Sequence, residues 1–174
     1  MRILLCAVLV LLFGAVGCQQ KEASNKQVVA PPQAMISAQQ VDNLRALAKM
    51  NPGKADGWVA LGNALMDTQQ FGEAVEAYQK ALAIDPKNVD VRVDMGTCMR
   101  GIGKFEGAVA EFRKAIKLAP GHLNAHRNLG VVLGFDLKER EGAIKEFKTF
   151  LELAPNAPDA AQIRDVIAQL QAGK

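Results

Sequence analysis

Serine occurs only at Ser24 and Ser37. The first lies in a polar stretch and the second stands in front of a helical pattern, so no Ser-His-Asp constellation can be assembled. Cysteine is nearly as scarce: Cys6, Cys18 and Cys98 are too few and too scattered for a disulfide framework. No phosphate loop and no glycine-rich dinucleotide turn is present. The acidic residues are spread over helix faces without a paired-carboxylate cleft. Charge is balanced, with 21 Lys and Arg against 18 Asp and Glu, and no basic run or stripe interrupts that balance. These absences argue against an enzyme, against a bound cofactor and against nucleic acid as the main partner.

A long apolar stretch is present only at the N-terminus. Met1-Arg2 precedes "ILLCAVLVLLFGAVG", an apolar run of 15 residues. A transmembrane helix needs about 20, so the run fits the apolar region of a secretory signal over residues 1–17. "AVGC" at 15–18 resembles the bacterial lipobox, in which a small residue precedes a cysteine that is acylated and becomes the new N-terminus; Ala15 stands where that motif usually has leucine. The resemblance implies lipidation at Cys18, with an ordinary signal peptide or an uncleaved anchor as the alternatives. Gln19, where an aspartate is absent, implies the outer membrane by resemblance to enteric lipoproteins. Residues 18–36 then form the lipidated N-terminus and a polar tether with a Pro-Pro pair. As flexible coil its 18 residues after Cys18 would span roughly 20–25 Å.

The rest of the chain is periodic. Pro52, Pro86, Pro120 and Pro155 are spaced by 34, 34 and 35 residues, each within a near-copy of "AIDPKN". Proline disfavours helix in the residue before it and cannot continue one, so each copy ends a helix. A fixed period of this length marks a stacked repeat architecture. Aligned on the prolines, Gly62, Gly96 and Gly130 share one register of the first helix in each unit. Ala74, Ala108 and Ala143 share a register of the second, followed by Tyr78, Phe112 and Phe147 four residues later. Glycine in mid-helix costs about 1 kcal/mol relative to alanine, so three at one register imply close helix packing.

"WVALGNALMDTQQFGEAVEAYQKALAIDP" resembles the tetratricopeptide (TPR) repeat in Trp58, Leu61, Gly62, Phe71, Ala74, Tyr78, Ala81 and Pro86. The second unit keeps Gly96, Phe105, Ala108, Phe112, Ala115 and Pro120, and the third keeps Leu129, Gly130, Ala143, Phe147 and Pro155. The departures are Arg92 at a large apolar position, whose stem is expected to pack while its charge reaches water, Phe150 at a small one, and one extra residue in the third unit's inter-helix turn. The expected fold is all-α, a right-handed α-solenoid over residues 37–172. Its repeats span 55–88, 89–122 and 123–157, with capping helices over 37–51 and 158–172. Ser37 and Gln40 form a capping box for the first cap. Pro158 is expected to open the last helix, with Ile163, Val166, Ile167 and Leu170 on its apolar face.

His122 and His126, spaced i, i+4, are too few to make a zinc site; alignment puts His122 in the inter-repeat turn and His126 at the packing position held by Trp58. Cys98 reads as a buried small hydrophobe. In TPR proteins the first helices line a concave groove that receives a peptide. Carried residue by residue onto this chain, the groove positions are Asp56, Val59, Asn63, Met66 and Asp67 in the first unit. Asp90, Val93, Asp94, Thr97 and Arg100 come from the second, and Asn124, Arg127, Asn128, Val131 and Phe135 from the third. Val59 and Asp94 stand where the chaperone-binding subset has lysine and asparagine, which disfavours that specific function. Val93, Thr97 and Arg100 are expected to project together beside Arg127, Asn128 and Val131, the arginines orienting an acidic group. The resemblance implies a lipid-anchored, periplasm-facing adaptor that binds a protein or peptide partner in the cell envelope, touching membrane through its lipid alone. The alternative is a structural spacer or self-associating scaffold.

Overall fold

The computed structural model describes residues 36–173, which form eight α-helices and no strand. Helix α1 spans Ala38–Met50, α2 Ala55–Asp67, α3 Phe71–Ile84, α4 Val89–Gly101 and α5 Phe105–Leu118. Helix α6 spans Leu123–Val131 and runs on into a π-helical turn, Val132–Asp136; α7 spans Arg140–Leu153 and α8 Ala160–Gln171. Residues 1–35, including Cys18 and most of the expected leader and tether, lie outside the described residues. No described helix is long and apolar enough to cross a membrane.

Each helix packs chiefly on its neighbours in sequence, and α4 also touches α2 and α6. That is the connectivity of a solenoid, in which no unit can bury its apolar face alone. The glycine register explains how the pairs close. A Cβ at Gly96 would lie 2.7 Å from Phe112 Cε1, and one at Gly130 would lie 2.7 Å from Phe147 Cε1. At Gly62 the same atom would strike the ring of Tyr78. The glycine therefore receives the aromatic ring directly, in the space where a side chain would otherwise stand. Tyr78, Phe112 and Phe147 are completely buried as a result.

A second register repeats in polar form. Trp58 donates from Nε1 to the Pro52 carbonyl at 3.0 Å, Arg92 from Nη2 to the Pro86 carbonyl at 2.8 Å, and His126 Nε2 meets the Pro120 carbonyl at 2.9 Å. Three chemically different side chains thus hold the same turn carbonyl, which the helix end leaves without a backbone partner. The guanidinium of Arg92 does not reach out to water as expected. It pairs with the buried Glu111 at 2.6 Å, and Lys114 also donates to that carboxylate at 2.7 Å. A buried carboxylate is tolerable only when it is paired in this way. His126 is buried and its Nδ1 lies 2.7 Å from Glu146 Oε2. His122 caps α6, its Nδ1 accepting from the Ala125 N–H at 3.2 Å, and its Nε2 lies 2.9 Å from Asp90 Oδ1.

The ends behave as caps with two adjustments. The Ser37–Gln40 capping box is present in both directions. Leu47, which falls on the same helical stripe as Val41, Leu44 and Ala48, is 55% exposed, whereas Val41 and Ala48 are buried. Helix α8 begins at Ala160, with Asp159 at the cap position, later than Pro158.

Substitution at the two kinds of glycine separates close packing from helix propensity. Gly96→Leu drives a side chain into Phe112 and should cost about 1–3 kcal/mol or more by overpacking. Gly72, in α3, has nothing within 4 Å of a would-be Cβ, so Gly72→Leu should leave stability unchanged or raised. Thermal melts of the two variants check this, and equal melting points for Gly96→Leu and the parent would remove the role assigned to the glycine register.

Candidate peptide-binding groove

Helices α2, α4 and α6, with α8 after them, supply the side chains of one continuous face. Two hollows mark it, one between the second and third units and one between the third unit and the C-terminal cap. A small one, about 60 Å³, is lined by Thr97, Arg100, Phe112, Asn128 and Val131. A larger one, about 330 Å³, is lined by Arg100, Arg127, Asn128, Val131 and Phe135 together with Asp159, Gln162, Ile163 and Val166 of the C-terminal cap. Thr97, Arg100, Arg127, Asn128 and Val131 are therefore brought together. Asn128 donates to the Thr97 hydroxyl at 3.2 Å, and that hydroxyl donates to the Val93 carbonyl at 3.0 Å, which ties α6 to α4 across the unit boundary.

Val93 does not belong to this surface. It is 3% exposed and packs with Ala108, Phe112 and Leu129. Helix α4 is covered on two sides, since Val91, Met95 and Cys98 enter the core of the first units while Val93 enters that of the later ones. A helix in the middle of a stack needs two apolar faces, and position 93 lies on the second. Asn124 is exposed and lines neither hollow. In the first unit Val59 and Met66 are half-buried against the core, and Asn63 is exposed with its carbonyl accepting from the Tyr78 hydroxyl at 2.8 Å.

The two arginines are not free. Arg100 Nε donates to Asp136 at 2.5 Å, and Arg127 pairs with Asp159 at 2.9 Å. The expectation that they stand ready to orient a carboxylate is thereby corrected, because each guanidinium already has one. Asp136, Asp159, Gln162, Ile163 and Val166 were not among the expected groove residues. One signal for the first was visible: 12 residues separate the glycine from the helix-opening alanine in units one and two, but 13 separate Gly130 from Ala143.

The other half of the face is acidic. Helix α2 contains Asp56 and Asp67 and no Lys or Arg, and α4 adds Asp90 and Asp94. Burial holds the Asp94 carboxyl above the usual carboxylate range, and Asp90 and Asp67 push it the same way while His122 opposes them. Burial also raises the Tyr78 hydroxyl, with Asp94, Cys98 and Asp67 adding to it. The Cys98 thiol is pushed up to about 12 by burial and then by Asp94. A thiol in that setting is neutral and unreactive.

Because the folded chain holds the Asp94 proton more tightly than the unfolded chain does, the stability this proton confers is present at low pH and lost as pH rises through the folded value. Asp94→Asn, which mimics the protonated carboxyl, should therefore be more stable than the parent at about pH 7 and indistinguishable from it at about pH 3. Urea midpoints at the two pH values measure this; a variant less stable at neutral pH would contradict it.

Known proteins share both the repeats and their arrangement. Two models described as Tetratricopeptide repeat match, one over residues 55–88 and one over 100–161, between them more than half the chain. No curated protein sequence matches it. Among solved structures, "Crystal structure of MamA" superposes with a TM-score of 0.71 at 21% identity, covering 77% of this chain and 76% of that one. "First TPR of Spaghetti (RPAP3) bound to HSP90 peptide SRMEEVD" superposes at 0.64 with 27% identity, covering 68% and 94%. The Arabidopsis OM64 TPR domain superposes at 0.64 with 19% identity, covering 68% and 98%. With the glycine–aromatic register and the proline-ended period already established, the chain is a tetratricopeptide-repeat protein, an all-α solenoid of the kind that binds other proteins.

Proposed function

We propose that this protein is a lipid-anchored adaptor that holds a protein or peptide partner in the groove of its repeats and so assists assembly of a complex in the bacterial cell envelope. The observation that carries the groove reading is the hollow of about 330 Å³ between the third unit and α8, lined by apolar side chains (Val131, Phe135, Ile163, Val166) together with polar ones. Such a mixture suits recognition of a segment rather than catalysis. The first TPR of Spaghetti, bound to HSP90 peptide SRMEEVD, supports peptide binding by a protein of this fold. The anchor rests on sequence alone: the 15-residue apolar run, the small residues before Cys18, and the polar tether after it. That arrangement would place the repeats on the periplasmic side, with Gln19 favouring the outer membrane.

The reading of a self-associating scaffold has its own support in Leu47 and Met50, 55% and 75% exposed on the first described helix. Light scattering across a concentration series separates the two, since the scaffold requires a mass that rises with concentration and the adaptor a constant one.

Both parts of the proposal are open to direct test. The parent chain expressed in a bacterium should incorporate labelled palmitate and Cys18→Ser should not; no incorporation by the parent would end the anchor reading. A photocrosslinking residue in place of Val131 should yield a discrete adduct in living cells, and one in place of Lys148, exposed on α7, should not. Adducts from the α7 position alone would put the binding surface on the opposite side of the stack.

A further inference from the structure

The extra residue of the third unit is absorbed in an unusual place. It does not lengthen the loop alone; it widens the end of the first helix into the π-helical turn Val132–Asp136, closed by Leu137 N–H on the Val132 carbonyl at 3.0 Å. Lys138 then takes a left-handed φ of 62° to enter the next helix. Single π turns inside helices carry a cost that is commonly retained at functional sites. Here the turn keeps Val132 and Leu133 buried while leaving Phe135 44% exposed at the hollow. It also brings Asp136 to Arg100.

The resulting hollow has an apolar part within a polar lining. Val131, Phe135, Ile163 and Val166 supply contact, while the nearby charges cancel in the pairs Arg100–Asp136 and Arg127–Asp159. A carboxylate entering here would have to displace an aspartate from its arginine. Further along the same face the balance is different. Asp67 and Asp94 have no ion-pair partner among the described residues, and burial and two neighbouring aspartates oppose ionisation of Asp94. A positive charge beside Asp94 would offset that repulsion.

Resting on the groove reading above, we infer that the partner segment is cationic and anchored by one large apolar side chain. The apolar side chain enters the hollow between the π turn and α8, and Lys or Arg side chains along the segment meet Asp94 and then Asp67. Adjacent packed helices lie about 8–10 Å apart, and an extended chain advances about 3.3 Å per residue. The anchor lies between α6 and α8, about one and a half helix spacings from α4 and two and a half from α2, so the basic residues fall about four and about seven positions from it.

Three fluorescein-labelled peptides on a Gly/Ser background test this against the full-length chain in uncharged detergent micelles. One carries Leu with Lys at those two spacings, one replaces Leu by Ser, and one replaces both Lys by Glu. The Leu/Lys peptide should bind by fluorescence anisotropy and weaken as salt is raised. Loss of Leu should weaken it by on the order of tenfold or more. The double variant Asp67→Asn, Asp94→Asn should weaken it by on the order of fivefold, with a melting point equal to or above the parent's. Phe135→Ser, with its fold checked by circular dichroism, should reduce binding of the Leu/Lys peptide but not affect the residual binding of the Ser peptide. Equal or tighter binding of the Glu peptide would overturn the cationic partner while leaving the groove as the site. Binding of the Leu/Lys peptide that ignores both sets of substitutions would place it elsewhere and overturn the groove reading too. Absence of binding by any of the three would overturn the inference alone, since crosslinking from position 131 tests the groove independently.

Discussion

Each unit of the stack depends on an aromatic ring lying where a glycine has no side chain. The contact sets how closely the two helices of a unit approach, and hence where every other side chain on them points. Tyr78, Phe112 and Phe147 fill that space almost identically against Gly62, Gly96 and Gly130. A glycine that would weaken an isolated helix here allows dense packing, and the gain in buried aromatic surface outweighs the lost helix propensity.

Once the pairs are closed, the turns between units must also be held. The position occupied by Trp58, Arg92 and His126 does this by reaching the carbonyl of the preceding proline. The requirement is for a donor at that point, not for an apolar surface, which is why an indole, a guanidinium and an imidazole serve equally. Their second partners differ accordingly: Lys80 sits 4.3 Å over the Trp58 ring, Glu111 pairs with Arg92, and Glu146 meets His126. Each charge is placed by the chemistry of the donor it accompanies.

The groove face is left free by this arrangement, because packing and turn closure use the other sides of the first helices. It is divided in character along its length. The first two units present aspartates that are incompletely offset, whereas the third and the cap present an apolar hollow whose ion pairs are closed internally. Asp94 is the clearest sign of a surface not arranged for stability alone, since burial and like charges both oppose its ionisation.

The repeat length, the helix ends, the caps and the glycine–aromatic register were all legible in the sequence, because they depend on residues near one another in the chain and recur at a fixed period. Thr97, Arg100, Arg127, Asn128 and Val131 could be brought together on the same grounds, being one helical turn apart or one repeat apart. What only the tertiary structure decided depends on contacts between units. Val93 is periodic with groove residues but is buried, because α4 is covered on both sides by neighbours that its own sequence does not describe. Arg100 and Arg127 look free in the sequence, yet their partners lie 36 and 32 residues away on the π turn and at the start of α8. The extra residue of the third unit was countable, but whether it lengthened a loop or widened a helix depended on which choice kept Val132 and Leu133 in the core and left Phe135 at the surface. Local periodicity determines which elements form; the burial demanded by their neighbours decides which side chains remain for a partner.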